Sequence, residues 1–433
     1  MSKIFVRNVL FGDCNIIKYD RRKILIVDCG SLNRSYPNGP SYNTTSELAY
    51  SKIRFLENTP QIEKQLLISH YDKDHYNGIL NINPDNPIIF KRIYLPFTIL
   101  KENAYEDILN NTRICQLALL FCAQYPRTTA LSTSKLLTQL WEKIPYLTDD
   151  FHNIRCLKKG DSFYIGTQKH EVLWPAADRW IWSYTEDDNK CPILQLEKEN
   201  IKNSFYQYLN FFEHRWNDYK TFCDIIYIIL SLLNTSETND NRKEYFDYIQ
   251  KLKEFSLKIK QRNAEEYNDR NSDKKRKKII LETARAIYHD YVNKENDRSI
   301  VFHDQSLDPL GKYVFLGDIA PKVVRTIKFD PNYHFKYSYN AVKVNHHGTE
   351  DYYSQDMPNG LNYIITNGTV GNRTSWLVSE NLIGNICERP VNPSVYCTGE
   401  QHLHCNQIKQ LNTFTTCSFI HNNVKFGDNI IDV

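Results

Sequence analysis

The string Ser69-His70-Tyr71-Asp72-Lys73-Asp74-His75-Tyr76-Asn77-Gly78 puts two histidines and two carboxylates within six positions. The apolar run Gln65 to Ser69 leads straight into it. Borderline and hard divalent cations accept imidazole and carboxylate ligands together, and acidic groups this close repel one another unless a cation offsets them. In a loop, the alternate residues His70, Asp72 and Asp74 can converge on such an ion. A surface turn holding these four side chains by accident would need neither the strand before it nor the glycine after it.

Two later strings have a related form: Val314-Phe315-Leu316-Gly317-Asp318, and Val342-Lys343-Val344-Asn345-His346-His347-Gly348. Singly each is bland, since Gly-Asp is common in turns and paired histidines more often make hydrogen bonds than bind metal. What joins them to the first string is their shared place at the end of an apolar strand. A further β-rich run, Lys23 to Val27, closes on Asp28-Cys29-Gly30. Open α/β sheets collect their sites at the carboxyl ends of strands, so these strand ends are expected to meet.

The elements that must position them read as follows. The first ~90 residues run strand (Ile4 to Val9), strand (Lys23 to Val27), loop, helix, strand (Gln65 to Ser69), an α/β beginning. From Ile93 to Asp150 the pattern turns helical, with apolar residues at Ile114, Leu117, Leu120 and Phe121 and again at Leu136, Leu137, Leu140 and Trp141. Strands return at Ser162 to Ile165 and Glu171 to Leu173, stopped by Trp174-Pro175. Residues 178–295 lack glycine and carry amphipathic runs over Lys202 to Leu233 and Lys243 to Gln261, read as an inserted helical module. Within it, Lys274-Lys275-Arg276-Lys277-Lys278 is either a phosphate-facing patch or a solvated helix face. The β pattern resumes at Ser299 to Phe302, Lys312 to Leu316, Ala341 to Val344, Tyr363 to Thr366 and Ser394 to Thr398. The division expected is 1–177 as the first part of the main domain, with a helical insertion over about 95–150, then the 178–295 module, then 296–433 as the second part.

Composition sets bounds. A chain of 433 residues with 41% hydrophobic content, 29 Tyr and 21 Phe has material for a large core and is not globally disordered. With 54 basic and 51 acidic residues, attraction to nucleic acid must come from local patches. The 11 cysteines are scattered without a Cys-x-x-Cys pair, so reduced thiols and a cytoplasmic location are expected rather than a disulfide framework. The amino-terminal residues are unlike a secretory signal, and the longest apolar run, Ile225 to Leu233, falls far short of the ~20 residues that span a bilayer. No membrane partner is expected.

The order His-x-Asp-x-Asp-His, a strand ending in Gly-Asp and a strand ending in His-His-Gly resembles the metallo-β-lactamase fold superfamily. It is most similar to the hydrolase domain of ComEC-type competence proteins, which carry Asp where other members have a second His, as Asp72 does here. Gly160-Asp161 leading to Glu171-Val172-Leu173-Trp174-Pro175, and Asp297-Arg298-Ser299-Ile300-Val301, are similar to that branch too. The resemblance covers residues 1–95, 155–177 and 296 to the end. It implies a four-layer αββα sandwich with an inserted helical module and two divalent ions, Zn2+ or Mn2+. In it, His70 and Asp72 serve one ion, Asp74 and His75 the other, and Asp318 bridges both. A histidine of the pair completes the second ion: His346, nearest the strand end, is preferred, with His347 left open. Asp28 would orient a ligand histidine from behind.

The chain departs from that pattern in three places. Asn296-Asp297-Arg298-Ser299 stands where many members supply a further histidine, which implies a first metal loosely held or filled only with substrate. Gly371-Asn372-Arg373-Thr374-Ser375 replaces a Gly-His-Pro segment, and the competence proteins' membrane channel is absent. The chemistry implied is phosphodiester hydrolysis by a metal-bridged hydroxide, with Asp74 or Asp72 receiving the water's proton. Arg373, His402 and His404 are candidates for clamping phosphate or protonating the leaving oxygen. DNA or RNA is the expected substrate, in defence or DNA processing, and a protein partner on the helical insert is a further expectation. The rival readings are a small-molecule ester or lactone hydrolase, and a partner-binding scaffold with a structural metal site.

Overall fold

The structure is a computed structural model describing residues 2–33, 41–98, 100, 129–176, 215–237, 241–268, 282, 296–305, 310–367, 379, 381–382, 386, 393–398, 424–426 and 428–433. Within these residues it is an α/β architecture of two mixed sheets. The first has seven strands, in the order β15 (Asn429–Asp432), β1 (Lys3–Val6), β2 (Asn15–Lys18), β3 (Lys23–Val27), β4 (Glu63–Leu67), β5 (Arg92–Pro96), β6 (Ile154–Leu157). The second has eight: β14 (Val424–Phe426), β13 (Ser394–Cys397), β12 (Asn359–Ile365), β11 (Ser338–Lys343), β10 (Leu310–Phe315), β9 (Val301–Asp304), β8 (Gln168–Trp174), β7 (Ser162–Ile165).

Side-chain alternation along these strands builds three apolar layers. Leu25 and Val27 of β3, Leu67 of β4, Tyr313 and Phe315 of β10 and Ala341 of β11 share a layer to which both sheets contribute, so the sheets pack face to face. The neighbouring residues Ile24, Ile26 and Leu66 point the other way, toward helices. On the second sheet the outward residues Val314, Val342 and Tyr363 meet Val323, Val324 and Ile327 of the helix Pro321–Lys328.

The expected strands at Lys23–Val27 and Ser162–Ile165 have those bounds. The others shift by a few residues: the strand expected from Ile4 to Val9 is Lys3–Val6, and Gln65 to Ser69 becomes Glu63–Leu67. Both stop short because the chain must leave the ladder to deliver Asp13 and His70. The helices Arg215–Asn234 and Arg242–Asn268, from the glycine-free stretch, are not a separate layer: Tyr219, Phe222, Tyr245 and Leu252 belong to the same apolar cluster as Ile26 and Trp141. Polar contacts bind them in as well, with Tyr245 donating to Trp141 O at 2.9 Å and Ser236 to Ile154 O at 2.7 Å. The Ile114 to Phe121 run and the Lys274–Lys278 patch lie outside the described residues.

In each sheet, pairing changes from antiparallel to parallel at one strand, β3 in the first and β10 in the second. The carboxyl ends of β3 and β4, and of β10 and β11, open toward the same place. Main-chain contact ties these ends together, with Ile300 N donating to Ser69 O at 2.8 Å.

Candidate metal centre

Asp318, two residues past the end of β10 beyond Phe315, Leu316 and Gly317, is the hub. Its Oδ2 lies 3.2 Å from His75 Nε2, 3.4 Å from His347 Nε2, and 3.9 Å from both His70 Nε2 and His346 Nε2. Asp74 joins through His347 Nε2 at 3.3 Å. Four imidazoles from two distant segments thus surround one carboxylate oxygen.

Local structure accounts for each approach. After β4 the chain passes Ser69 and His70 and enters a short helix, Lys73–Tyr76, that turns Asp74 and His75 inward. Gly30 sits under the start of this helix, where Cys29 N donates to His75 O at 2.7 Å. After β11, His346 (φ 40°) and His347 (φ 58°) are consecutive left-handed residues, and Asp28 (φ 59°) is a third. Such a backbone costs about 1–3 kcal/mol per non-glycine residue and persists where surroundings over-determine it, commonly at functional sites.

The rings are aimed by partners on their far side. His75 Nδ1 lies 2.9 Å from Asp28 Oδ2, and Asp28 is itself fixed by Ser69 N and Ser69 Oγ, each at 2.7 Å. His347 Nδ1 lies 2.9 Å from Thr366 Oγ1. With Nδ1 donating outward, each Nε2 is free to ligate, the arrangement usual behind metal-binding histidines. His346 Nδ1 lies 2.7 Å from Thr349 Oγ1, and its ring stacks on Tyr352 with centroids 3.7 Å apart.

Sequence reasoning preferred His346 over His347; the geometry reverses that order. His347 is fully buried and closer to both Asp318 and Asp74, whereas the His346 side chain is 21% exposed. Two left-handed residues in succession swing the second ring, not the first, deeper into the cluster. Asp72 sits half-buried at the N-cap position of the short helix, near enough to Tyr352 to help raise its hydroxyl's pKa. Arg373, His402 and His404 lie outside the described residues.

Electrostatics call for a cation. Asp13, Asp28, Asp74 and Asp318 are all buried, against the single buried ammonium of Lys343. Burial opposes charge on Asp318, yet His347, His75 and His346 hold its carboxyl well below the usual range. The same attraction, overcoming burial, lifts His75 well above the ordinary histidine value and His347 to about 9. Burial and the neighbouring His75 push His70 far down. The Nε2 atoms of His70 and His347 and the Oδ1 of Asp318 are buried without a hydrogen-bond partner. Orphaned polar atoms of this kind, converging with mixed nitrogen and oxygen donors, fit a divalent ion.

Sequence reasoning missed Asp13, Lys343 and Thr366. A lysine inside the apolar run Ala341-Val342-Lys343-Val344 was a signal, since a buried cation demands a partner. Compared with protein-family models and with curated proteins, the chain matches none. Among the described residues no helix is long and apolar enough to cross a membrane.

Proposed function

We propose that this chain is a metal-dependent hydrolase of the metallo-β-lactamase fold that cleaves phosphodiester bonds in DNA or RNA. The observation that carries the proposal is the convergence of His70, His75, His346 and His347 on Asp318 Oδ2, with Asp74 beside them. The fold assignment draws support from two mixed sheets packed face to face with the motif residues at their strand ends. Phosphodiester chemistry draws on the likeness of the motifs to the ComEC-type hydrolase domain.

His75, His347, Asp74 and Asp318 would hold an ion, with His70 and His346 reaching the opposite sides of Asp318 and Asp72 at the rim. Divalent ions in such a place lower the pKa of a water and stabilise charge on the oxygens of a displaced phosphate. Cytoplasmic action on nucleic acid, in defence or DNA processing, completes the reading.

The test is metal-dependent loss of labelled single- and double-stranded DNA and RNA by the purified chain, beside Asp318→Ala. Activity that needs Zn2+ or Mn2+ and falls at least about 100-fold in the variant is expected, since a ligand should cost no less than its orienting partners do. Turnover of chromogenic esters with nucleic acid untouched would replace the proposal by small-molecule hydrolysis. A metal-loaded protein inert to all of them would favour a scaffold.

A further inference from the structure

By distance, Asp13 belongs with His75, Asp318 and His347, whose ligand atoms all lie within 4.8 Å of one another. Distance alone would make it another ligand. Its surroundings argue against that. Lys343 Nζ lies 3.0 Å from Asp13 Oδ2, and both side chains are 2% exposed. A divalent ion on that oxygen would face an ammonium at close range in a poorly screened interior. The other oxygen, Oδ1, accepts from Asn15 Nδ2 at 3.2 Å. The main chain is fixed too: Asp13 N donates to Asp74 O at 3.1 Å, and Asp13 O accepts from Gly30 N at 2.9 Å.

What Asp13 faces is the back of two rings. Its Oδ2 is 3.5 Å from His347 Nδ1 and 3.8 Å from His75 Nδ1, while the Nε2 atoms of the same rings face Asp318. The two partners come from different sheets. Asp13 lies in the turn before β2 of the first sheet, and Lys343 ends β11 of the second. Alternation along β11 sends Ala341 into the layer between the sheets and Val342 outward, so Lys343 points inward, where it also donates to Val344 O at 3.0 Å.

We infer that Asp13 and Lys343 form a latch between the sheets that backs the Nδ1 sides of His75 and His347 and keeps their Nε2 atoms on Asp318, neither residue being a ligand. Both are positioning residues, and the inference rests on the metal-binding reading above. Because the latch joins the two halves of the site, it links sheet-to-sheet registration with metal affinity. A lysine in place of an apolar inward residue is accounted for by this role.

The test is calorimetric titration of the full-length chain with Mn2+ and with Zn2+, comparing wild type, Asp13→Asn, Lys343→Met and the double variant. The visible spectrum of the Co2+-loaded proteins reports the donor set. Expected are unchanged stoichiometry and spectral shape, affinity about 10–100-fold weaker in each single variant, and a double variant no weaker than the worse single, because the pair acts as a unit. If Asp13 is instead a ligand, Lys343→Met tightens binding and Asp13→Asn alters the Co2+ spectrum; either result overturns the latch. Where a single variant fails to fold, its orphaned buried charge is the cause. The double variant has no orphaned charge, and wild-type affinity in it overturns the latch. A wild type that binds no ion overturns the metal reading along with it, whereas four proteins binding alike overturn the latch alone.

Discussion

Gly30 lies directly against the main chain of Asp74: a methyl group on its Cα would fall 2.1 Å from the Asp74 carbonyl carbon and 2.4 Å from His75 N. The loop after β3 and the short helix after β4 are therefore packed backbone to backbone, and that contact sets the depth at which Asp74 and His75 enter the cluster.

Gly30→Ala is accordingly expected to displace both ligands and not merely loosen a turn. No flexible side-chain end can yield here, so the overpacking cost is at least roughly 1–3 kcal/mol. Urea unfolding with and without Mn2+ checks it: the apo midpoint should fall, and the added stability from the ion should shrink. An unchanged metal increment would show that the two backbones do not set the site.

The histidine pair should divide its labour unequally. His347, fully buried and within 3.4 Å of Asp318 and 3.3 Å of Asp74, is expected to lose more metal affinity on substitution by Ala than His346, which stands at 3.9 Å and leans on Tyr352. Metal content after dialysis measures this. The reverse order would restore the preference drawn from the sequence.

Metal binding should release protons. Although burial opposes it, Asp318 raises His347 to about 9 and, with Asp28, lifts His75 well above the ordinary value, so both rings of the metal-free protein hold protons at neutral pH. These raised values stabilise the metal-free fold fully below the unfolded value of about 6.5. That contribution is lost as pH rises through 9. Metal affinity should therefore climb between pH 6.5 and 9, with the binding heat depending on buffer ionisation enthalpy. Buffer-independent heat would contradict it.

His170 gives the opposite sign. Buried in the layer between the sheets, stacked on Phe163 and 2.6 Å from Tyr313 OH, it is pushed by burial down to about 3. The unfolded chain takes up this proton near pH 6.5 and the native state does not, so stability is lost as pH falls from 6.5 toward 3, by up to about 1.4 kcal/mol per unit. Denaturant midpoints at pH 7, 5.5 and 4 should show a shallower decline in His170→Gln than in wild type.

The sequence by itself determined the strands and the candidate ligands. Period-two alternation marks β3, β7 and β10 because each strand buries one face between the sheets and the other under helices. The dense string from His70 to His75 stands out because few structural needs would set so many like charges side by side. The short strands β2, β5 and β6 escaped because their alternation spans too few residues to separate from helical or loop sequence. Tertiary structure alone decided which oxygen is the hub, that His347 outreaches His346, and that Asp13 and Lys343 meet. Those outcomes depend on how two sheets register against each other and on left-handed backbone at Asp28, His346 and His347. Neither is written in local residue preference: a partner 330 positions away, as Lys343 is from Asp13, acquires meaning when the layer between the sheets closes.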